Sequence, residues 1–143
     1  MELSVVEAVK VLEQPGAVYL DVRSTDEYDQ GHPEGAWNIP ILHATPQGMQ
    51  PNAEFEVVAR AVLPRNVPIV VGCKSGQRSA MAVRVLRAFG QEQAVNMAGG
   101  FHGAGGMLGR PSAPGWLQLG LPSTSEPTPG RTWEELRALA QRE

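Results

Sequence analysis

Short apolar runs without alternation recur along the chain, and they constrain its fold more than any other feature. Residues 17–20, 67–71 and 94–97 are short, largely apolar segments without alternation that contain β-branched side chains, which is typical of strands buried on both faces of a parallel sheet. Residues 37–39 and 2–3 are weaker candidates for two further strands. The sequence therefore predicts a central parallel sheet of about five strands.

Stretches of helical period separate these runs. Apolar residues recur three and four positions apart within residues 4–13, 55–62, 82–89 and 132–142, which predicts amphipathic helices. Strands that alternate with helices predict an α/β architecture, with helices on both faces of the sheet.

Several helix starts are visible as capping signals, in which a Ser, Thr or Asn side chain accepts hydrogen bonds from the first free amides. The predicted signals are the pairs Ser4–Glu7 and Thr132–Glu135, a capped turn at residues 24–28, and Asn52 before residue 55.

Composition limits the kind of protein further. The 143 residues are about one domain's worth, and 42% hydrophobic with 19% charged residues is ordinary for a soluble protein. A net charge of −3 argues against nucleic acid or an anionic membrane as a partner. Because no apolar run could cross a bilayer and residues 1–4 show no secretory signal, we expect a cytoplasmic location. A single cysteine excludes an internal disulfide and a cysteine-rich metal cage.

Two segments interrupt the alternation of strands and helices. Residues 103–115 form a Gly/Pro-rich insertion with Met107 and Leu108 at its centre, and we predict that it acts as a flap at the mouth of the site; a surface excursion with no role is the alternative. The predicted domain spans residues 1–122, including this insertion. Residues 123–143 are predicted to be a linker and a C-terminal helix packed on the same domain.

The only cysteine of the chain follows the most apolar strand. Residues 67–71 lead to Cys73, and a helix is predicted to begin near Ser79. Ligands of parallel α/β sheets bind beyond the carboxyl ends of the strands, where loop amides and a helix dipole favour a thiolate. Lys74 and Arg78 add positive charge at the rim. A reactive nucleophile is favoured, and a buried structural cysteine or a thiolate that only senses oxidation are the alternatives.

The residues around this cysteine carry family motifs. The loop Cys73-Lys74-Ser75-Gly76-Gln77-Arg78-Ser79 resembles the active loop Cys-x-Ser-Gly-x-Arg-Ser of the rhodanese family of sulfurtransferases. Other segments resemble further signatures of the family in the same order: Leu20-Asp21-Val22-Arg23, Gly35-Ala36-Trp37-Asn38-Ile39-Pro40, Met97-Ala98-Gly99-Gly100 and Gly120-Leu121-Pro122. The chain departs from the family pattern at Pro33, which is shifted within its turn, and at Trp116, which follows the insertion.

The resemblance implies a rhodanese-like fold and a sulfurtransferase in which Cys73 is the catalytic nucleophile and cycles between thiol and persulfide. A small donor such as thiosulfate would load the sulfur, and cyanide, a thiol or a protein acceptor would remove it, with no metal and no organic cofactor. The resemblance also implies a set of substrate-binding residues: Lys74, Ser75, Gly76, Gln77 and Arg78. It implies a further set that supports the site: Asp21, Arg23 and Ser79.

Alternatives stay open at this stage. A rhodanese-fold sulfur carrier or interaction module with little turnover would show the same motifs. Phosphate or arsenate chemistry is disfavoured, because Cys-based phosphatases carry a longer loop than the one between Cys73 and Arg78. Arg78 is expected either to face the pocket or to pair with a carboxylate such as Asp21. The three histidines show no metal-ligand spacing and are interpreted as turn or surface residues: His32, His43 and His102.

Overall fold

The computed structural model describes residues 2–105 and 113–142, and within these ranges the chain forms nine strands and five helices. The strands are β1 (Glu2–Leu3), β2 (Val18–Asp21), β3 (His32–Pro33), β4 (Trp37–Asn38), β5 (Leu42–Thr45), β6 (Gly48–Pro51), β7 (Ile69–Gly72), β8 (Ala94–Met97) and β9 (Ser123–Thr124). The helices are α1 (Val5–Leu12), α2 (Thr25–Gln30), α3 (Phe55–Val62), α4 (Gln77–Ala88) and α5 (Trp133–Gln141). Met107 and Leu108, on which the flap prediction rests, lie outside the described residues.

Five parallel strands form the central sheet in the order β1-β8-β7-β2-β4. At its centre, Val18 of β2 pairs with Ile69 of β7, and Asp21 pairs with Gly72. Every residue of β2, β7 and β8 is buried, as expected for strands that are covered on both faces. The α/β fold class predicted from the apolar runs is confirmed.

Successive side chains of the central strands point to opposite faces, and each face carries its own core. Leu20 and Val71 belong to a core that includes residues of α3, α4 and α5. Tyr19 and Val70 belong to a second core that includes residues of α1 and α2. The sheet therefore lies between two layers of helices.

The helix starts agree with the cap signals in three cases. Helices α1, α2 and α5 begin with complete capping boxes. The Asn52 prediction is wrong for α3, which follows Glu54 without a side-chain cap. Instead, Asn52 Oδ1 accepts the Glu54 amide hydrogen at 2.9 Å, and Nδ2 donates to the Pro40 carbonyl at 2.8 Å. No helix in the described ranges is both long and apolar enough to cross a bilayer.

Helix α4 begins at Gln77, two residues earlier than predicted from Ser79. The cause lies at Gly76, whose φ of 110° is in the left-handed region that favours glycine. This residue turns the chain directly from the cysteine loop into the helix. The loop is therefore tighter than the apolar periodicity alone indicates.

Two small antiparallel sheets were not predicted from the sequence. Strands β5 and β6 form a hairpin, and β3 pairs with β9. Strand β6 is exposed, so the sequence of the hairpin has no apolar pattern that would indicate strands. Pro46 and Gly48 are turn-forming residues that could have indicated the hairpin.

The segment before α5 is tied to the domain although its composition is that of a linker. Pairing of β9 with β3 fixes its start. The Pro122 carbonyl accepts a hydrogen bond from Trp116 Nε1 at 2.9 Å, and the Thr128 amide donates to the Tyr28 hydroxyl at 3.1 Å. These bonds hold residues 122–128 beside the carboxyl end of the sheet.

Candidate active site

The predicted site residues meet at the carboxyl edge of the sheet because two adjacent strands end there. Asp21 closes β2, and its register partner Gly72 closes β7. Arg23 and Cys73 follow within two residues of these ends. Residues about fifty positions apart in the chain therefore become neighbours, as is usual for ligand sites of parallel sheets.

The sulfur of Cys73 is enclosed by donors from its own loop. The residue is 1% exposed. The amides of Gly76 and Ser79 donate to its Sγ at 3.1 and 3.4 Å, and the Ser79 hydroxyl oxygen lies 3.3 Å away. Amide hydrogens directed at one atom stabilise negative charge on it, so the loop is built to hold a thiolate or an anionic persulfide.

Ser79 is in turn held by Asn96 of β8. Its hydroxyl donates to Asn96 Oδ1 at 2.5 Å, and Asn96 Nδ2 donates to the Gly76 carbonyl at 3.2 Å and to Glu2 Oε2 at 3.0 Å. Asn96 thus fixes both residues whose amides contact the sulfur. Sequence reasoning missed Asn96, because a single polar residue inside an apolar strand gives no signal of its target.

Arg78 forms an ion pair with Glu27 of α2, and not with Asp21. Its Nη1 and Nη2 donate to the two carboxylate oxygens of Glu27 at 2.7 and 3.0 Å. Glu27 also completes the capping box with Ser24. Burial alone would raise the pKa of Glu27, but Arg78 and the bonds from Ser24 outweigh it and lower that pKa from 4.5 to about 2. The hydrogen bonds to Glu27 likewise raise the pKa of Arg78.

The predicted pairing of Asp21 with Arg23 is present and buried. Arg23 Nε and Nη2 donate to the carboxylate of Asp21 at 2.9 and 2.7 Å, and Nη2 also donates to the Gly31 carbonyl at 2.7 Å. Their side chains are 3% and 1% exposed. Burial alone would lower the pKa of Arg23, but the hydrogen bonds to Asp21 and the negative charge of Asp21 outweigh it and raise the pKa of Arg23. The pair braces the turn after β2.

The chain after β8 lies against the cysteine loop. The amide of Phe101 donates to the Cys73 carbonyl at 2.8 Å, and the amide of His102 donates to the Lys74 carbonyl at 2.9 Å. This approach requires Gly100, since a Cβ there would lie 2.6 Å from both of those carbonyl oxygens. The Gly99-Gly100 motif therefore has a steric function in shaping the site.

A cleft of about 740 Å³ opens beside Lys74, the residue after the cysteine. Its lining comes from five segments of the chain and includes charged, hydroxyl-bearing and apolar residues: Arg23, Glu27, Lys74, His102, Leu117 and residues 123–125. The structure thus brings Lys74 of the predicted substrate-binding set to the cleft. Gly76 and Ser79 contact the sulfur instead, and Arg78 is held by Glu27.

The remaining predictions have mixed outcomes. In the described part of the chain, no hydrogen bond joins the side chains of Ser75 or Gln77 to other site residues. His32 is not a surface residue: it is fully buried and stacks on Tyr28 with 3.7 Å between ring centroids. Among residues 2–105 and 113–142, no three His, Cys, Asp or Glu side chains form a cluster that could hold a metal ion.

A parallel α/β sheet with a cysteine cradled by loop amides at its carboxyl edge defines the class of protein. The chain belongs to the rhodanese family: the family model described as Rhodanese-like domain matches residues 4–104.

Relatives with sulfur-transfer names are among the similar proteins. Thiosulfate sulfurtransferase 18 of Arabidopsis thaliana is 43% identical over 98 residues, which are 67% of this chain and 72% of that protein. Thiosulfate sulfurtransferase 16, chloroplastic, of the same plant is 35% identical over 108 residues, 76% of this chain and 80% of that protein. The chain spans about half the length of some other relatives, such as the senescence-associated protein DIN1 of Raphanus sativus, at 52%.

Solved structures show the same fold. The crystal structure of Rv0390 from M. tuberculosis superposes with a TM-score of 0.74 at 28% identity, covering 87% of this chain and 97% of that one. The human single-domain sulfurtransferase TSTD1 gives a TM-score of 0.53 at 30% identity, covering 70% of this chain and 90% of that one.

Proposed function

We propose that this chain is a sulfurtransferase that carries a sulfane sulfur on Cys73 between a small donor such as thiosulfate and a thiophilic acceptor. One observation carries the proposal: the backbone amides of Gly76 and Ser79 both donate to the Cys73 sulfur, at 3.1 and 3.4 Å. Such an arrangement favours a charged sulfur, which is the form that acts as a nucleophile. The names of the relatives support the general class of reaction.

The first half-reaction loads the sulfur. The Cys73 thiolate attacks the outer sulfur of thiosulfate, a new S–S bond forms, and the S–S bond of thiosulfate breaks, so that sulfite leaves with the electron pair. The amides of Gly76 and Ser79 stabilise charge on Sγ before the attack. Lys74, which is exposed and forms no ion pair with any described residue, offers positive charge to the approaching anion.

The second half-reaction removes the sulfur. The acceptor attacks the outer sulfur of the persulfide, and the Sγ–S bond breaks with its electron pair returning to Sγ as thiolate. The same two amides that hold the resting thiolate stabilise this leaving group. One cradle therefore serves both steps, and the chemistry uses no electron source beyond the donor and acceptor themselves.

Mass spectrometry of the intact protein after incubation with thiosulfate tests this function. We expect the mass of one added sulfur, its loss on treatment with cyanide, and no addition to the Cys73→Ser variant. A folded, reduced wild-type chain that gains no sulfur would overturn the proposal and favour the interaction module. A cytoplasmic site of action remains part of the proposal and is tested by cell fractionation.

A further inference from the structure

The cleft beside Lys74 is much larger than the donor requires. Its volume of about 740 Å³ lies in the range of pockets that bind whole small organic molecules, whereas thiosulfate has only five heavy atoms. One wall carries the hydroxyl groups of residues 123–125, and Leu117, which is 41% exposed, gives another wall an apolar patch. The cleft therefore suits an organic molecule with both polar and apolar parts.

His102 has a defined place at this cleft. Its amide donates to the Lys74 carbonyl at 2.9 Å, and its own carbonyl accepts from Gln118 Nε2 at 2.8 Å. The imidazole packs edge-on against Phe101, with 5.1 Å between ring centroids. Within the described residues, neither ring nitrogen of His102 has a hydrogen-bond partner, so a nitrogen is available to a bound molecule.

The surroundings of His102, which is an exposed residue, favour the neutral form of its ring. Partial burial, followed by the nearby cations Arg23 and Lys74, lowers the pKa of His102 below 6.5, and the more weakly acting Glu27 opposes this shift. At pH 7 the imidazole is therefore mostly unprotonated, and it can accept a proton.

We propose that this cleft binds the acceptor as an organic thiol, and that His102 is the general base that removes the proton of that thiol. The inference rests on the proposed sulfur transfer through Cys73. The donor needs no such help, because thiosulfate is already an anion at neutral pH. An alkyl thiol has a pKa of about 8.5 and is mostly protonated there, so only the second half-reaction requires a base.

A nitrogen of His102 takes the proton of the acceptor R–S–H, and the thiolate R–S⁻ forms a bond with the outer sulfur of the Cys73 persulfide. The bond between that sulfur and Sγ breaks, and Sγ keeps the electron pair. The products are the persulfide of the acceptor, the Cys73 thiolate and a protonated His102, which returns its proton to solvent.

The ionisation of the thiol limits how much the loss of His102 can slow the transfer of sulfur. At pH 7 about 3% of a thiol with a pKa of about 8.5 is already thiolate. A variant without the base would still react with the thiolate fraction of the acceptor. Its transfer rate at pH 7 therefore cannot fall by more than about thirtyfold. The loss should shrink as the pH rises and vanish above the pKa of the thiol.

The experiment compares His102→Gln with wild type after both have been loaded with thiosulfate. Sulfur transfer to free cysteine, whose thiol has a pKa of about 8.5, is followed by stopped flow from pH 6.5 to 9.5. We expect a tenfold to thirtyfold slower transfer at pH 7, equal rates at pH 9.5, and partial rescue of the variant by added imidazole. Transfer to 2-nitro-5-thiobenzoate, an aromatic thiol that is ionised throughout this range, should be equal in both proteins.

His43→Gln is the matched control, since His43 lies on the β5–β6 hairpin against Trp133 and away from the cleft. It should transfer sulfur at the wild-type rate. Equal transfer by His102→Gln and wild type at pH 7, or a defect that is the same at every pH or with the aromatic thiol, would overturn the role of His102. Failure of the wild type to load sulfur would instead overturn the proposed function, so the two failures are distinguishable.

Discussion

The hydroxyl of Ser79 donates its hydrogen to Asn96 Oδ1 while its oxygen lies 3.3 Å from the Cys73 sulfur. A hydroxyl has one hydrogen, so in this arrangement it can only accept from the thiol S–H. When the sulfur is charged, the same hydrogen can turn toward it. Asn96 therefore competes with the sulfur for the one hydrogen of the Ser79 hydroxyl.

Asn96→Asp is expected to slow the reaction of Cys73 with iodoacetamide on the order of tenfold at pH 7. The aspartate retains the acceptor for Ser79 but places a buried negative charge near the sulfur, which disfavours the thiolate. It also removes the amide hydrogens that hold the Gly76 carbonyl. Alkylation rates measured against pH check this outcome.

Gln93→Glu is the control for that variant. It adds the same charge just before β8, at the opposite end of the strand from the site, on an exposed residue. We expect the wild-type alkylation rate. Equal slowing in both variants would mean that net charge, and not the position of Asn96, is responsible.

The Glu27–Arg78 pair should make stability depend on pH in a defined window. Because the pKa of Glu27 is lowered from 4.5 to about 2, its contribution is complete above pH 4.5 and is lost as the pH falls toward 2. Glu27→Gln should therefore flatten the fall of the unfolding free energy in this window. At pH 7 the variant should be about 1–2 kcal/mol less stable, between the values for exposed and buried pairs.

Urea denaturation at several pH values measures these free energies. Asp29→Asn serves as the control, since it removes an exposed carboxylate from the same helix. A Glu27→Gln curve that falls as steeply as that of Asp29→Asn between pH 4.5 and 2 would contradict the assigned role of the pair.

Gly100→Ala should destabilise the chain by about 1–3 kcal/mol more than Gly120→Ala does. Both glycines have a left-handed φ, 61° and 67°, so the backbone cost of about 1 kcal/mol is shared. Only at position 100 would the new Cβ meet the carbonyl oxygens of Cys73 and Lys74, at 2.6 Å; at position 120 nothing lies within 4 Å.

Thermal and urea unfolding give the two stabilities, and the rate of persulfide formation reports on the loop. The rate should fall in Gly100→Ala alone, because relief of the clash moves the backbone of Cys73, the proposed nucleophile. If the two variants lose the same stability, the contact between the chain after β8 and the cysteine loop does not require a residue without a Cβ at position 100.

Asp21→Asn should lower the free energy of unfolding by about 3–5 kcal/mol, because it leaves the charge of Arg23 buried without its partner. Glu56→Gln disrupts an ion pair with Arg60 in which both side chains are 53% exposed, and it should cost less than about 1 kcal/mol. Urea denaturation of the two variants measures the contrast. A cost for Asp21→Asn no larger than that of Glu56→Gln would show that the buried pair does not brace the site.

The parts of the fold that depend on local sequence were predictable. A capping box involves residues only three positions apart, and a run of apolar residues indicates a buried strand. Helices α1 and α5 and the central sheet could therefore be predicted from local sequence. Cys73 was placed correctly because a strand end positions the next residue regardless of distant contacts.

The parts that depend on distant contacts were not predictable. Arg78 pairs with Glu27 across 51 positions, whereas Asp21, the last residue of the strand beside the cysteine loop, was the predicted carboxylate partner. Asn96 gave no sign of its bond to Ser79, whereas His102 is exposed, as predicted for a surface histidine. The Arg78–Glu27 and Ser79–Asn96 contacts join segments that lie far apart in the sequence, so they depend on the tertiary fold and not on local sequence.

Part of the cleft wall lies outside the stretch of chain that carries the cysteine loop. The match to the family ends at residue 104, yet Leu117 and residues 123–125 line the cleft. Substitutions there can reshape the molecule that enters without touching Cys73 or its amides. Under the proposed function, a library restricted to residues 117–125 is expected to change which thiols are accepted while the sulfur-loading step at Cys73 stays intact.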